Sequence, residues 1–207
     1  MKLIAALLMS VFLSLTTLCP ANATLVSTFD TDADGWTILV GSIPVQHSST
    51  GGNPGGYIWG QDNLGAHTWF FSTTTWAGNW TSYIGGSLEF DINYISGSGS
   101  FLSEEVRIYS HSDYAYWDTS INPPKGSWTQ YEVDLIASNF TISGTKTFNQ
   151  IMADVTEIWI RGEYGVGVDK AGLDNVKVAP IPEPTTMLLL GSGIIGLAGI
   201  RRKFRKK

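Results

Sequence analysis

Three aspartates at alternate positions, Asp30-Thr31-Asp32-Ala33-Asp34-Gly35, form the sharpest chemical constellation in this chain. Alternate carboxylates can turn toward one centre, and the glycine permits the tight turn that brings them there. Calcium is a hard cation that takes six to eight oxygens in irregular geometry, so Asp30, Asp32 and Asp34 make a good start on a shell. The loop departs from a helix–loop–helix calcium site. Its twelfth position is Gly41 where a glutamate would close the shell, and strand-forming residues follow. A remote ligand must complete it, and Asp174 in Leu173-Asp174-Asn175-Val176 is the best candidate if the first and last strands are neighbours. The alternative is a solvated acidic turn.

The second chemical feature is aromatic. All eight tryptophans, at 36, 59, 69, 76, 80, 117, 128 and 159, lie between the chain's two ends. Aromatic faces stack on sugar rings, and the same side chains also fill sandwich cores. Core positions suit Trp36, Trp69 and Trp128. Trp159 is out of phase with Ile158 and Ile160, and Tyr114-Ala115-Tyr116-Trp117 carries more aromatic surface than one buried face needs. Trp159, Trp117 and Tyr116 are therefore the candidate ligand contacts. Catalysis finds little support: His47, His67 and His111 are scattered, and there is no nucleophile elbow or phosphate-binding glycine loop. Carboxylate pairs exist, but their separation cannot be read from sequence.

Strands must position these groups. Leu88, Phe90, Ile92 and Tyr94 alternate with polar residues, as do Tyr131, Val133 and Leu135. This period of two marks strands with one buried face. Shorter candidates are 25–29, 36–41, 56–59, 68–72, 106–108, 114–118, 158–160 and 173–178, separated by turns rich in glycine, serine, asparagine and proline. One short helix is expected over Phe148–Val155, with Thr147 as its N-cap. Nine or ten strands and one helix predict an all-β, jelly-roll β-sandwich.

The ends are of another kind. Lys2 and the apolar run Leu3–Leu18 precede Ala21-Asn22-Ala23, the small-x-small pattern of a signal-peptidase site. Residues 1–23 thus read as a signal peptide. Its Cys19 is the only cysteine, so the processed chain uses no disulfide. A lipoprotein reading of Cys19 is disfavoured by the bulky Leu18 before it. At the other end Pro182-Glu183-Pro184 is a stiff hinge that lets helix begin only after Pro184. The apolar run Thr185–Ile200 follows, about 24 Å long as a helix. That is short of a ~30 Å hydrocarbon core but can be extended by snorkelling. Arg201-Arg202-Lys203-Phe204-Arg205-Lys206-Lys207 then holds this end in the cytoplasm.

Residues 24–180 form one domain and residues 181–207 a separate hinge, transmembrane helix and tail. Lys2 and the six tail cations leave the domain 6 of the 13 basic residues, and Glu183 leaves it 17 of the 18 acidic ones, a formal −11 against −5 for the chain. Such a surface excludes nucleic acid held by phosphate contacts. It suits divalent cations or neutral partners such as glycans.

The C-terminal hinge, apolar run and basic tail closely resemble the PEP-CTERM sorting signal of exopolysaccharide-producing Gram-negative bacteria. The resemblance implies transient anchoring in the inner membrane, processing near Pro182-Glu183-Pro184 by an exosortase-type enzyme, and delivery to the cell surface or matrix. Between the ends, an ordered set of segments is similar to the laminin IV type A (laminin B) domain and its bacterial relatives. They are Phe29–Trp36, Gly51–Ile58, Trp69–Phe71, Tyr83–Asp91, Trp128–Tyr131, Ile160–Tyr164 and Gly172–Val176. This implies a galactose-binding-like jelly roll, the fold of many carbohydrate-binding modules, which often hold a structural calcium. Asp30 and Asp174 occupy the corresponding positions. The family brings no established catalytic residues. The expectation is an exported, non-enzymatic module that binds glycan or builds an exopolysaccharide or biofilm matrix. A structural adhesion module without a glycan site and a glycan-active enzyme are the alternatives.

Overall fold

The computed structural model describes residues 23–39, 43–62, 68–100 and 102–181. The signal segment through Asn22, the Pro182–Pro184 hinge, the transmembrane run and the basic tail lie outside the described residues. Ala23 is described: it is exposed, and its carbonyl accepts a 2.6 Å hydrogen bond from the Tyr83 hydroxyl.

Two antiparallel six-stranded sheets pack face to face. The first contains β1 (Leu25–Ser27), β3 (Gln46–Ser48), β4 (Tyr57–Asp62), β6 (Ser87–Ser98), β9 (Trp128–Asp134) and β12 (Val166–Ala179). Its order is β3-β4-β12-β6-β9, with β1 added beside β12. The second sheet has the order β10-β8-β7-β11-β5-β2. Its strands are β2 (Thr37–Leu39), β5 (Phe70–Thr73), β7 (Val106–Ser110), β8 (Asp113–Trp117), β10 (Thr141–Ser143) and β11 (Glu157–Arg161).

Strand alternation builds the core. Leu88, Phe90 and Ile92 from the first sheet face Val106, Ile108, Ala115, Ile158 and Ile160 from the second, all essentially without exposure. Twelve strands are present among the described residues, more than the nine or ten expected. The additional ones, β3 and β10, have three residues each and no apolar alternation. The helix α1 (Phe148–Met152) stops earlier than expected. Thr147 does cap it, and Gln150 returns the bond, closing a capping box.

The first and last strands of the described domain lie side by side. β1 pairs with the last residues of β12, Leu25 opposite Val178 and Ser27 opposite Val176. β4 pairs with the first half of β12, from Asp169 to Leu173. The edge partner of β12 therefore changes at Asp174-Asn175. There Asn175 takes a left-handed φ of 50° and the pairing with β6 slips. This bulge is where the acidic loop and the last strand meet.

The opposite end is closed by a buried polar network. Arg161 pairs with Glu105, and the Tyr164 hydroxyl donates to Glu105 Oε2 at 3.0 Å. Arg161 Nη2 also donates to Asn122 Oδ1 at 2.8 Å.

Candidate functional site: an aromatic face and an acidic junction

On the outward face of the second sheet, strand register lines up one residue from each strand. Tyr116 is opposite Thr141 and Arg107, Trp159 is opposite Arg107 and Ser72, and Ser72 is opposite Thr37. The row Thr141–Tyr116–Arg107–Trp159–Ser72–Thr37 crosses six strands, about 24 Å at the usual ~4.8 Å spacing. Tyr109, Tyr114 and Phe70 flank it. Trp159 lies 4.4 Å from Tyr109 and 5.4 Å from Phe70, ring centre to ring centre, and Tyr114 is 4.8 Å from Tyr109. The Arg107 guanidinium sits 4.5 Å over Phe70, 5.4 Å from Tyr114 and 5.7 Å from Trp159. It also forms a 3.0 Å ion pair with Glu104.

Inward residues of these strands are sealed, whereas Tyr116, Arg107, Trp159, Tyr109 and Tyr114 remain partly exposed. Trp159 differs from the core tryptophans in one further respect. The indole N–H groups of Trp36, Trp69 and Trp80 donate to Ser27 Oγ, Asp169 Oδ1 and the Trp76 carbonyl. The Trp159 indole N–H is covered but has no acceptor among the described residues. Ser72 in this row is buried against Thr37, but the fixed rings, the aromatic-bound guanidinium and the hydroxyls of Tyr116, Thr141 and Thr37 can stack on pyranose C–H faces and hydrogen-bond their hydroxyls.

Two of the three candidate contacts, Trp159 and Tyr116, share this row. Trp117 points the other way, as strand alternation requires. It packs against the core and meets Tyr131 edge-on at 6.3 Å. Trp128, expected in the core, is partly exposed on the other sheet's outer face, with its N–H donating to the Gly51 carbonyl at 3.0 Å. Arg107, Tyr109 and Phe70 were missed by sequence reasoning, although the alternation of Arg107 and Tyr109 with Val106 and Ile108 carried a signal.

At the acidic junction the four expected metal ligands divide into pairs. Asp30 and Asp174 converge on the turn Gly51–Gly56. Asp30 Oδ1 accepts from Gly56 N at 3.3 Å, and Asp174 Oδ2 accepts from Asn53 N at 2.6 Å. Glycine is needed for this approach. A Cβ on Gly55 would lie 2.2 Å from Asp30 Oδ1, and one on Gly52 2.6 Å from Asp174 Oδ2. Asp32 and Asp34 bond within their own loop. Asp32 Oδ1 accepts from Asp34 N at 2.7 Å, and Asp34 Oδ2 from Phe29 N at 3.3 Å.

Asp91 completes the junction. Its Oδ2 accepts from the amides of Asn53 and Asn175 at 3.2 and 2.8 Å, and its buried Oδ1 has no donor among the described residues. Burial pushes the Asp174 carboxyl up to about 6, assisted by the charges of Asp91 and Asp30 against two backbone hydrogen bonds. No group of three or more His, Cys, Asp or Glu among the described residues is gathered tightly enough to hold a metal ion. Carboxylate oxygens keep spare lone pairs beyond these bonds, so Asp30 and Asp174 fit as two ligands of a cation and not as a complete shell.

The comparisons with known proteins agree with this architecture. The L4b domain of human laminin alpha-2 superposes with a TM-score of 0.54 at 14% identity, covering 75% of this chain and 97% of that one. A family 11 carbohydrate-binding module from Clostridium thermocellum, in complex with a β-1,3-1,4-mixed-linked tetrasaccharide, gives 0.54 at 15% identity, covering 77% and 97%. A family 11 carbohydrate-binding module of cellulosomal cellulase Lic26A-Cel5E of Clostridium thermocellum gives 0.52 at 16%, covering 79% and 98%. At these identities the likeness is one of fold, a jelly-roll β-sandwich. No curated protein matches the chain. Residues 180–203 match the PEP-CTERM protein-sorting motif, which marks the chain for export through membrane-anchored sorting and implies exosortase processing. The Laminin B match begins at Thr74, so the similar segments before it, from Phe29 to Phe71, join the domain through the fold. Residues 74–180 match Laminin B (Domain IV), and with over half its length in that match the chain belongs to this family.

Proposed function

We propose that this exported domain binds neutral glycan on the outward face of its second sheet and serves the extracellular polysaccharide matrix. The observation that carries the reading is the register-aligned row containing Tyr116, Arg107 and Trp159, with its rings partly exposed on a rigid sheet. Its one cation is already paired with Glu104. Stacking and hydroxyl hydrogen bonds, not charge, would therefore select the ligand. The carbohydrate-binding modules that share the fold support the same reading. The domain acts as a binder and not as a catalyst.

The test uses the full chain in detergent micelles and exopolysaccharide from the cells that export it. Trp159→Ala should weaken binding about 5- to 150-fold, equivalent to 1–3 kcal/mol for a hot spot, without lowering the melting temperature appreciably. Full affinity in that variant would remove the row from the site.

Structural calcium at Asp30 and Asp174 belongs to the same proposal. Bound there, the ion would neutralise two crowded carboxylates and tie β1, the Gly51–Gly56 turn and β12 together. Asp32 and Asp34 would brace the loop.

Sorting supplies a separate test. Mass spectrometry of the mature surface protein should find Thr185–Ile200 absent. Recovery of that segment on the surface protein would mean a simple anchor.

A second reading, adhesion to a protein partner, draws on four apolar side chains at the end away from the termini. Leu102, Ile121, Val166 and Val168 are 55–69% exposed there. Polysaccharide-independent binding that is lost in Ile121→Ser would favour it.

A further inference from the structure

The opposite face of the sandwich carries a second row. On the outward side of the first sheet, Trp59 is opposite Gln46 and Gly172, and Asn93 is opposite Gly172 and Trp128. Gln46–Trp59–Gly172–Asn93–Trp128 thus crosses five strands without a formal charge. Trp59 and Trp128 stand on strands three spacings apart, and the Trp128 ring reaches back across Asn93 to lie over Gly172, beside the Trp59 strand.

The rings are held in place. Tyr57 and Trp128 meet edge-on at 5.4 Å, and they close over Gly172, where a Cβ would lie 2.9 Å from the Tyr57 ring and 3.2 Å from the Trp128 ring. The Gly51 carbonyl anchors the Trp128 indole. Lys170 Nζ rests 3.5 Å over the Trp59 ring centre. It has no carboxylate partner among the described residues, so its N–H groups are available to sugar oxygens.

We infer that this row is a second glycan-binding face, and that the domain bridges two neutral polysaccharide strands. The inference rests on the glycan reading of the first row. Charge selects the occupant: the row is neutral, and the domain's −11 repels an anionic strand. The two rows look outward from opposite sheets, so one strand cannot occupy both. Bridging turns two modest affinities into a cross-link whose strength depends on both sites.

The experiment titrates the same exopolysaccharide with the full chain in detergent micelles. Calorimetry gives the number of sites, and viscosity reports bridging. The wild type should show two sites per chain and thicken the polysaccharide. Trp59→Ala and Lys170→Ala should reduce two sites toward one or weaken one of them severalfold, abolish most thickening, and keep the melting temperature. Trp159→Ala should affect the other site in the same way. Loss of all binding in Trp159→Ala, with Trp59→Ala and Lys170→Ala unchanged, would overturn the second face and leave the first standing. No binding by the wild type would overturn both. A wild-type dimer in sedimentation that Trp59→Ala or Lys170→Ala converts to monomer would assign this face to a second copy of the chain and overturn the proposal.

Discussion

The two sides of the second sheet come from the same strands and differ in every property that matters. Inward, Val106, Ile108, Ala115, Ile158 and Ile160 are sealed against the other sheet. Outward, one residue away in each case, Arg107, Tyr109, Tyr114, Tyr116 and Trp159 keep part of their surface. Tryptophan makes the contrast plain. Trp36 is 1% exposed, meets Phe29 and Trp76 edge-on, and donates its N–H to Ser27 Oγ. Trp159 packs on Phe70 and Tyr109 but leaves its N–H without an acceptor among the described residues. Full burial with a satisfied polar atom marks a packing residue. A ring that is fixed yet incompletely covered is free to make a contact outside the protein.

The largest effect should come from the inner side. Trp36→Ala removes a sealed ring and strands the Ser27 hydroxyl, at a cost of about 3–5 kcal/mol measured by denaturant unfolding. A loss below 1 kcal/mol would mean that Trp36 is not the packing residue described.

The acidic junction comes next. Asp174→Ala leaves two backbone N–H groups in a buried site without an acceptor, which costs about 1–3 kcal/mol. Chelator should lower the wild-type melting temperature, because an ion bound only by the native state stabilises it by mass action. Asp174→Ala and Asp30→Ala should lose most of that response, and Asp32→Ala little of it. An unchanged wild-type melting curve in chelator, with no metal in the purified protein, removes calcium from the account.

Smaller still is a pH effect, best measured in chelator. Burial raises Asp174 from 3.8 to about 6. Burial, and then the charges of Asp169 and Asp62, raise Glu163 from 4.5 to about 7. Between the paired values the folded state holds a proton that the unfolded chain has released. Stability therefore falls as pH rises from about 4 to 7, and acidification from pH 7.5 to 5.5 should raise the melting temperature. Asp174→Asn should flatten part of this slope. A melting temperature that drops on acidification would contradict the assigned shifts.

Much of this was legible in the residues because period two is local. Alternation located the long strands, sealed Ile158 and Ile160, and set Trp159 apart from them. The β1–β12 adjacency that brings Asp30 to Asp174 could be posed from the two segments, since Asp30 follows the first strand and Asp174 lies within the last. Other features depend on register and were invisible. Gln46-His47-Ser48 and Thr141-Ile142-Ser143 become strands only because a partner edge is waiting. Arg107 becomes the centre of the row only when β7 is aligned between β8 and β11. Trp117 follows Tyr116 directly in the chain, and that same adjacency sends it to the opposite face. Aromatic density grouped the two, whereas alternation divides them. Asp32 and Asp34 have the spacing of ligands, and the structure gives them backbone partners within their own loop, whereas those of Asp30 and Asp174 include the Gly51–Gly56 turn.

The central claim is that the outward row binds glycan and the inward residues only pack. The most direct measurement pairs exopolysaccharide affinity with melting temperature for Trp159→Ala, Tyr116→Ala and Trp117→Ala in the full chain. The account predicts weakened binding with little change in melting for Trp159→Ala and Tyr116→Ala. It predicts the reverse for Trp117→Ala, a lowered melting temperature with affinity per folded molecule retained. If all three variants melt early and none loses affinity selectively, the outward row is packing like the rest and the glycan site is not there.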